Sequence, residues 1–207
     1  MSKIRILGAN GQIARHVVRR LGDDAALKQT LYVRNAKRMH DPVPANATVA
    51  EGDVLDRAAL DTAMAGQDIV YANLTGDDID DQAHAIIASM KDAGVERLIF
   101  VTSLGIYHEL PPAFEAWNDR EIGVYLPPFR RAADAIEASG LDYTILRPAW
   151  LTDGDEIDYE TTTRDEIFKG TEISRKSVAD YVVGLMENPS RDIGGNFGLN
   201  NPGTDGD

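Results

Sequence analysis

Short apolar runs recur along the chain at Ile4–Leu7, Thr30–Val33, Thr48–Ala50, Ile69–Ala72, Leu98–Thr102 and Tyr143–Leu146. Runs of this kind, spaced by helical stretches, predict parallel strands buried on both faces and joined by crossover helices. Between them, Ile13, Val17, Val18 and Leu21 sit at helical spacing, as do Ile86, Ile87 and Met90; Ala132, Ala133, Ile136 and Glu137 follow two prolines. Gly22, Gly94 and Gly140 fall just past the ends of these stretches, where a left-handed residue closes a helix at low cost. The chain up to Trp150 therefore predicts an α/β fold with a doubly wound parallel sheet. Beyond Trp150 an acidic stretch, a strand or two, a helix near Ser177–Met186 and a Gly/Asn-rich tail read as a small C-terminal cap on a single domain.

Composition narrows the chemistry. With 207 residues, 43% of them hydrophobic, the chain can bury one good core. A formal charge of −13 and no basic run disfavour nucleic acid and anionic membranes as partners, so any phosphate must meet local donors. The absence of cysteine excludes disulfides, thiolate catalysis and cysteine metal sites. No apolar stretch is long enough to span a bilayer, and no signal-peptide core is present, so a cytoplasmic location is expected.

Against that background, Gly8-Ala9-Asn10-Gly11-Gln12-Ile13-Ala14 falls between the first strand and the first helix. Gly8 permits a tight turn there, and Gly11 lets the backbone approach a pyrophosphate seated on the helix N-terminus. Ala14 stands at the third glycine position as its smallest substitute. Where an NAD site usually places an acid, the second strand ends in Arg34, 23 residues after Gly11, with Lys37 and Arg38 nearby. A guanidinium at that point suits a 2′-phosphate, which favours NADP(H) over NAD(H). Asp53 and Val54, after the third strand, are placed for an adenine ring, although an Asp at a helix N-cap gives the same pattern. Asn73 and Leu74 follow the fourth strand at the carboxyl end of the sheet, where ligands of such folds bind.

These motifs, with Val101-Thr102-Ser103, Ser139-Gly140-Leu141-Asp142-Tyr143-Thr144-Ile145-Leu146-Arg147-Pro148 and Ile173-Ser174-Arg175-Lys176-Ser177-Val178-Ala179, resemble the atypical short-chain dehydrogenase/reductases. The likeness is to the NmrA-like and biliverdin/flavin-reductase-like NAD(P)-binding branch, and it covers nearly the whole chain. It implies a Rossmann fold and cofactor contacts from Gly8, Asn10, Gly11, Gln12, Ile13, Arg34, Asp53, Val54, Asn73, Leu74, Thr102 and Pro148. Carbonyl reductases of the family commonly use a Ser, then a Tyr and Lys spaced Y-x-x-x-K. Ser103 matches the Ser, but Tyr125-Leu126-Pro127-Pro128-Phe129 puts Phe at the Lys position. Arg130 and Arg131 are each turned off the required face, and the prolines are expected to keep Leu126 and Pro127 out of helical geometry, with Tyr125 ahead of the helix.

What remains is hydride transfer with little help from the protein, to a flavin, quinone or carbonyl, with Ser103, Tyr125 and Tyr107 as candidate catalytic groups and His108 as a further proton donor. A non-catalytic NADP(H) sensor and an NAD-dependent epimerase-like enzyme are the alternatives. The segment Ile106–Asn118 reads as a long loop whose aromatics line either a flat substrate site or a homodimer contact. Asp77–Asp81 reads as an acidic helix start, Glu160–Arg164 as a polar strand edge, and the four scattered histidines suggest no metal site.

Overall fold

The computed structural model describes residues 2–204. In chain order the elements are β1 (Ser2–Leu7), α1 (Gln12–Arg20), β2 (Leu27–Val33), β3 (Ala47–Glu51), α2 (Arg57–Met64), β4 (Ile69–Ala72), α3 (Ile79–Ala93), β5 (Arg97–Val101), α4 (Pro112–Ile122), α5 (Leu126–Glu137), β6 (Asp142–Pro148), β7 (Trp150–Thr152), β8 (Glu160–Thr162), β9 (Glu172–Ser174), α6 (Arg175–Glu187) and β10 (Gly195–Asn200). Eight strands form one sheet in the order β3-β2-β1-β4-β5-β6-β10-β8, parallel except where β8 runs antiparallel to β10. The winding reverses between β1 and β4, the point at which open α/β sheets bind ligands.

The apolar runs form these central strands because both of their faces are covered. β4 and β5 are buried at every position. Ile4, Ile6 and Leu31 pack under α1 and α6, through Val17, Val18, Val178 and Val182. Leu7, Val70 and Phe100 pack under α2, α3 and α5, through Leu60, Ile86 and Ile136. The fold is thus the expected Rossmann arrangement.

Four local expectations change. The region after Trp150 does not stand apart: β10 pairs with β6, and α6 packs on α1 as half of one helical layer, so only β7, β9 and their loops lie outside the main sheet. Ile106–Asn118 is not a continuous loop, because Pro112 presets the first turn of α4. Leu126, although it precedes Pro127, is helical at φ −72°, ψ −35° and starts α5; burial of its side chain offsets the steric bias, and the prolines sit where N–H groups have no helical partner. Tyr125 does lie ahead of that helix. Gly22 does not adopt positive φ, whereas Gly94 (+67°) and Gly140 (+75°) do; Gly22 is instead wedged against Pro44.

One buried charge organises the far side of the sheet. Arg147 on β6 has no exposed surface, and each arm of its guanidinium is answered: Nε donates to Asn196 on β10 (2.9 Å), Nη2 to the Thr163 carbonyl (3.1 Å) and Nη1 to the Glu109 carboxylate. Glu109 also accepts from the backbone N–H groups of Gly105 (3.1 Å) and Tyr107 (2.9 Å), which fixes the turn after β5. Removing one member strands the other's charge in the core, which typically costs about 3–5 kcal/mol. Glu109→Ala should therefore lower the unfolding free energy, read by urea denaturation, by about that amount, and Arg147→Met added to Glu109→Gln should recover part of the loss.

Candidate functional site

A cavity of about 620 Å³ opens over the carboxyl ends of β1, β2, β3 and β4, lined by Gly8, Asn10, Gly11, Tyr32–Asn35, Arg38, His40, Gly52–Val54, Asn73–Gly76, Asp78 and Gln82. The glycine loop reaches it by packing against the end of β4. A Cβ on Gly8, whose φ is +73°, would overlap the Asn73 carbonyl, and one on Gly11 would overlap the Asn73 side-chain amide. Gly8 is therefore required by this seam, whereas at Gly11 the overlap is with the movable end of a side chain. α1 then starts at the cavity with no acid in its first turn and no side-chain cap, which leaves free N–H groups and the positive dipole end for an anion.

The cationic end of the cavity is held by a staple. The Asn10 side chain accepts from His40 N (3.1 Å) and donates to the Arg38 carbonyl (2.8 Å), tying the glycine loop to the segment that follows β2. Its amide is thus committed to the protein. Asn35 caps the short turn after β2 by accepting from Lys37 N (3.0 Å), and Arg34, Arg38 and His40 face the cavity. At the opposite wall, Asp53 accepts from Leu55 N (2.9 Å), and the N-cap of α2 is Asp56. The Tyr32 phenol donates to the Asp53 carbonyl (3.0 Å); burial, with the nearby charges of Asp56 and Asp53, holds it above its ordinary pKa and so protonated.

Of the residues expected to hold a cofactor, Gly8, Asn10, Gly11, Arg34, Asp53, Val54, Asn73 and Leu74 line this cavity; Gln12, Ile13, Thr102 and Pro148 do not. Ile13 is buried in the core, and the Thr102 hydroxyl donates to the Leu146 carbonyl (3.1 Å). The cavity is also lined by Tyr32, Val33, Asn35, His40, Gly52, Asp78 and Gln82, none of which the sequence assigned to the cofactor. Gln82 carried a readable signal, being a polar residue on the buried face of α3; it donates to Asp78 (2.7 Å) beside Gly76, whose φ is +137°. The residues suit a dinucleotide: an uncapped helix start for phosphate, guanidiniums at the β2 end and an apolar ledge at Val54 and Leu74.

The candidate catalytic residues are dispersed. Ser103 is half-buried directly after β5, and Leu104 N donates to the Pro148 carbonyl (3.3 Å), so the ends of β5 and β6 are tied together beside it. Tyr125 is exposed. Tyr107 lines a separate cavity of about 370 Å³ with His108, Glu109, Arg130 and Arg164–Ile167, none of which lines the glycine-loop cavity. Its hydroxyl donates to Glu137 (3.2 Å) and accepts from Asn196 (2.9 Å), and burial holds its pKa high, so it is engaged as structure. Arg130 and Arg164 cover its ring at 4.5 and 4.4 Å, and each is matched by carboxylates.

Phe129, on α5, is half-buried against the core, while Arg130 pairs with Asp134 and Arg131 with Asp80. His108, Glu115 and Asp119 bring three potential ligand atoms within 4.8 Å of one another, a grouping the wide spacing of the histidines did not reveal. Glu115 already accepts from Leu110 N (3.0 Å) and bonds the exposed His108 ring (2.9 Å), which accounts for the arrangement without an ion.

The family model for NAD(P)H-binding proteins matches residues 8–189. A Rossmann-fold NAD(P)-binding family protein from Shigella flexneri is 57% identical, superposes with a TM-score of 0.90 and is covered to 97%, over all of this chain. A short-chain dehydrogenase/reductase from Veillonella parvula in complex with NADP is 27% identical with a TM-score of 0.92, covering 99% of this chain and 97% of that one. An uncharacterized sugar epimerase, YhfK, of Bacillus subtilis is 30% identical over 89% of this chain and 88% of its own length. Among the described residues, no helix is long and apolar enough to cross a membrane.

The seam between the glycine loop and β4 yields a direct prediction. Gly11→Ala should unfold at a lower temperature than the parent, and adding Asn73→Ala, which removes the overlapping amide, should recover part of the difference. Gly8→Ala should not recover in the same background, because its clash is with backbone and its φ is positive. Thermal denaturation of the four variants reads all of this.

Proposed function

Because the chain belongs to the NAD(P)H-binding family, matched over residues 8–189, we propose that it is an NADP(H)-dependent oxidoreductase that reduces a small, flat acceptor. The observation that carries the reading is Arg34 at the β2 end of a cavity that also presents an uncapped α1 N-terminus. In this reading Arg34, with Arg38, holds the 2′-phosphate; the first turn of α1 takes the pyrophosphate; Asp53 and Val54 flank the adenine. The reduced nicotinamide supplies a hydride when bound.

The chain's own residues orient and shield. Ser103 stands where the ends of β5 and β6 meet and offers its hydroxyl to an acceptor oxygen or nitrogen, while Tyr125 is free to pass a proton from solvent. Tyr107 serves the fold. With Phe129 at the lysine position and both neighbouring arginines paired with carboxylates, acceptors that need little proton assistance fit best. Those same residues favour, as a second reading, an NADP(H) sensor without turnover. The Bacillus subtilis relative's epimerase name supports a third, which the missing lysine disfavours.

Calorimetry with NADPH, NADP, NADH and NAD, repeated on Arg34→Ala, tests the cofactor assignment. The substitution should weaken the phosphorylated pair by on the order of 10- to 100-fold, the worth of a charge-assisted hydrogen bond, and leave NADH and NAD unchanged. An equal loss for all four overturns it. Steady NADPH consumption with a flavin, quinone or carbonyl separates the enzyme from the sensor.

A further inference from the structure

The segment after β2 carries a histidine whose backbone is fixed on three sides. Met39 packs against the core, the His40 N–H donates to the Asn10 side chain (3.1 Å), and Asp41 is drawn to α1 by Arg15 (3.5 Å) and Arg19 (3.4 Å). His40 is thereby held at the cavity beside Arg34 and Arg38, while its nearest carboxylate in sequence is turned to α1. The other carboxylates that border this segment or share the cavity are engaged. Glu51 of β3 accepts from Ala36 N (2.8 Å), Asp53 from Leu55 N (2.9 Å) and Asp78 from Gln82 (2.7 Å). On α1, burial and the charges of Arg19, Lys176 and Arg15 hold His16 below its ordinary pKa, so it stays uncharged near neutral pH. Among the described residues, His40 is the only histidine that lines this cavity.

Resting on the NADP(H) reading above, we propose that His40 is a third ligand of the 2′-phosphate, and that its protonation makes the choice between NADP(H) and NAD(H) depend on pH. Histidine is the side chain that ordinarily gains or loses its charge between about pH 5 and 8. Without a ligand, Arg34 and Arg38 disfavour a third positive charge beside them; a phosphate dianion shared by the three groups favours it. NADPH binding therefore takes up a proton at His40, and NADH, which brings no charge to that corner, does not. The sign follows from which form binds better. The imidazolium holds the phosphate more strongly than the neutral ring, so affinity for NADPH is highest on the acid side of this titration and falls as pH rises through it. The staple to Asn10 fixes where the third cation stands relative to the start of α1.

Calorimetry of the intact protein with NADPH and NADH, in buffers of different ionisation enthalpy, reads the proton directly. At about pH 7.5, where the free phosphate is already a dianion, NADPH binding should take up a fraction of a proton and NADH none. Between about pH 6.5 and about pH 8.5 the parent's affinity for NADPH should fall about fivefold more than that of His40→Gln, the worth of one charge-assisted contact at an exposed rim. The phosphate's own titration is common to both proteins and cancels. His40→Lys should keep the parent's low-pH affinity for NADPH across the range, and NADH should bind all three proteins alike. Equal proton uptake by the parent and His40→Gln, identical pH profiles for the two, or the same pH dependence for NADH each overturns the role of His40 and leaves Arg34 and the cofactor cavity standing. NADPH bound no more tightly than NADH at any pH removes the phosphate site and His40's part in it together.

Discussion

The glycine loop lies so close to the end of β4 that a side chain at position 8 would meet the Asn73 backbone and one at position 11 the Asn73 amide. That approach joins β1 to β4 at the point where the winding of the sheet reverses, and it aims the start of α1 at the space above the strands. Everything proposed for the cofactor depends on it: the free N–H groups of α1, the Asn10 staple that draws Arg38 and His40 inward, and the placement of Arg34 at the rim. The loop serves the fold first, and the anion site proposed for it would be a consequence of the same geometry.

A second constraint divides the carboxyl end of the sheet. Arg147 and Glu109 tie β6 to the turn after β5, and that turn carries Ser103 and Gly105 towards α4 on one side and Tyr107 towards Glu137 and Asn196 on the other. A tyrosine close in sequence to Ser103 is thereby turned into a different cavity, and tryptophans distant in sequence are brought to the strand ends.

The parallel strands and the glycine loop were legible because their signals are local: apolar runs buried on both faces, and glycines at a strand-to-helix turn. The position of Arg34 at the cavity was legible in the same way, by its spacing from the glycine loop. What was not legible depends on distant partners. Asn10 lines the cavity as its position suggests, but its amide is spent on His40 and Arg38, partners 28 to 30 residues away. Tyr107 reads as a proton donor until its hydroxyl is seen bonded to Glu137 and Asn196. β10 and α6 read as a cap because β10 is Gly/Asn-rich, and only pairing with β6 shows that it belongs to the sheet. Phe at the lysine position was readable in the sequence itself, and the structure shows that side chain, on α5, half-buried against the core.

The central claim is that the cavity between the glycine loop and Arg34 receives the phosphorylated adenosine end of NADP(H). Competition between NADPH and adenosine 2′,5′-bisphosphate, with adenosine 5′-monophosphate as the control, tests it on the unmodified chain. The bisphosphate should displace NADPH at concentrations where the monophosphate does not. Equal competition by the two fragments, or none by either, would contradict the account.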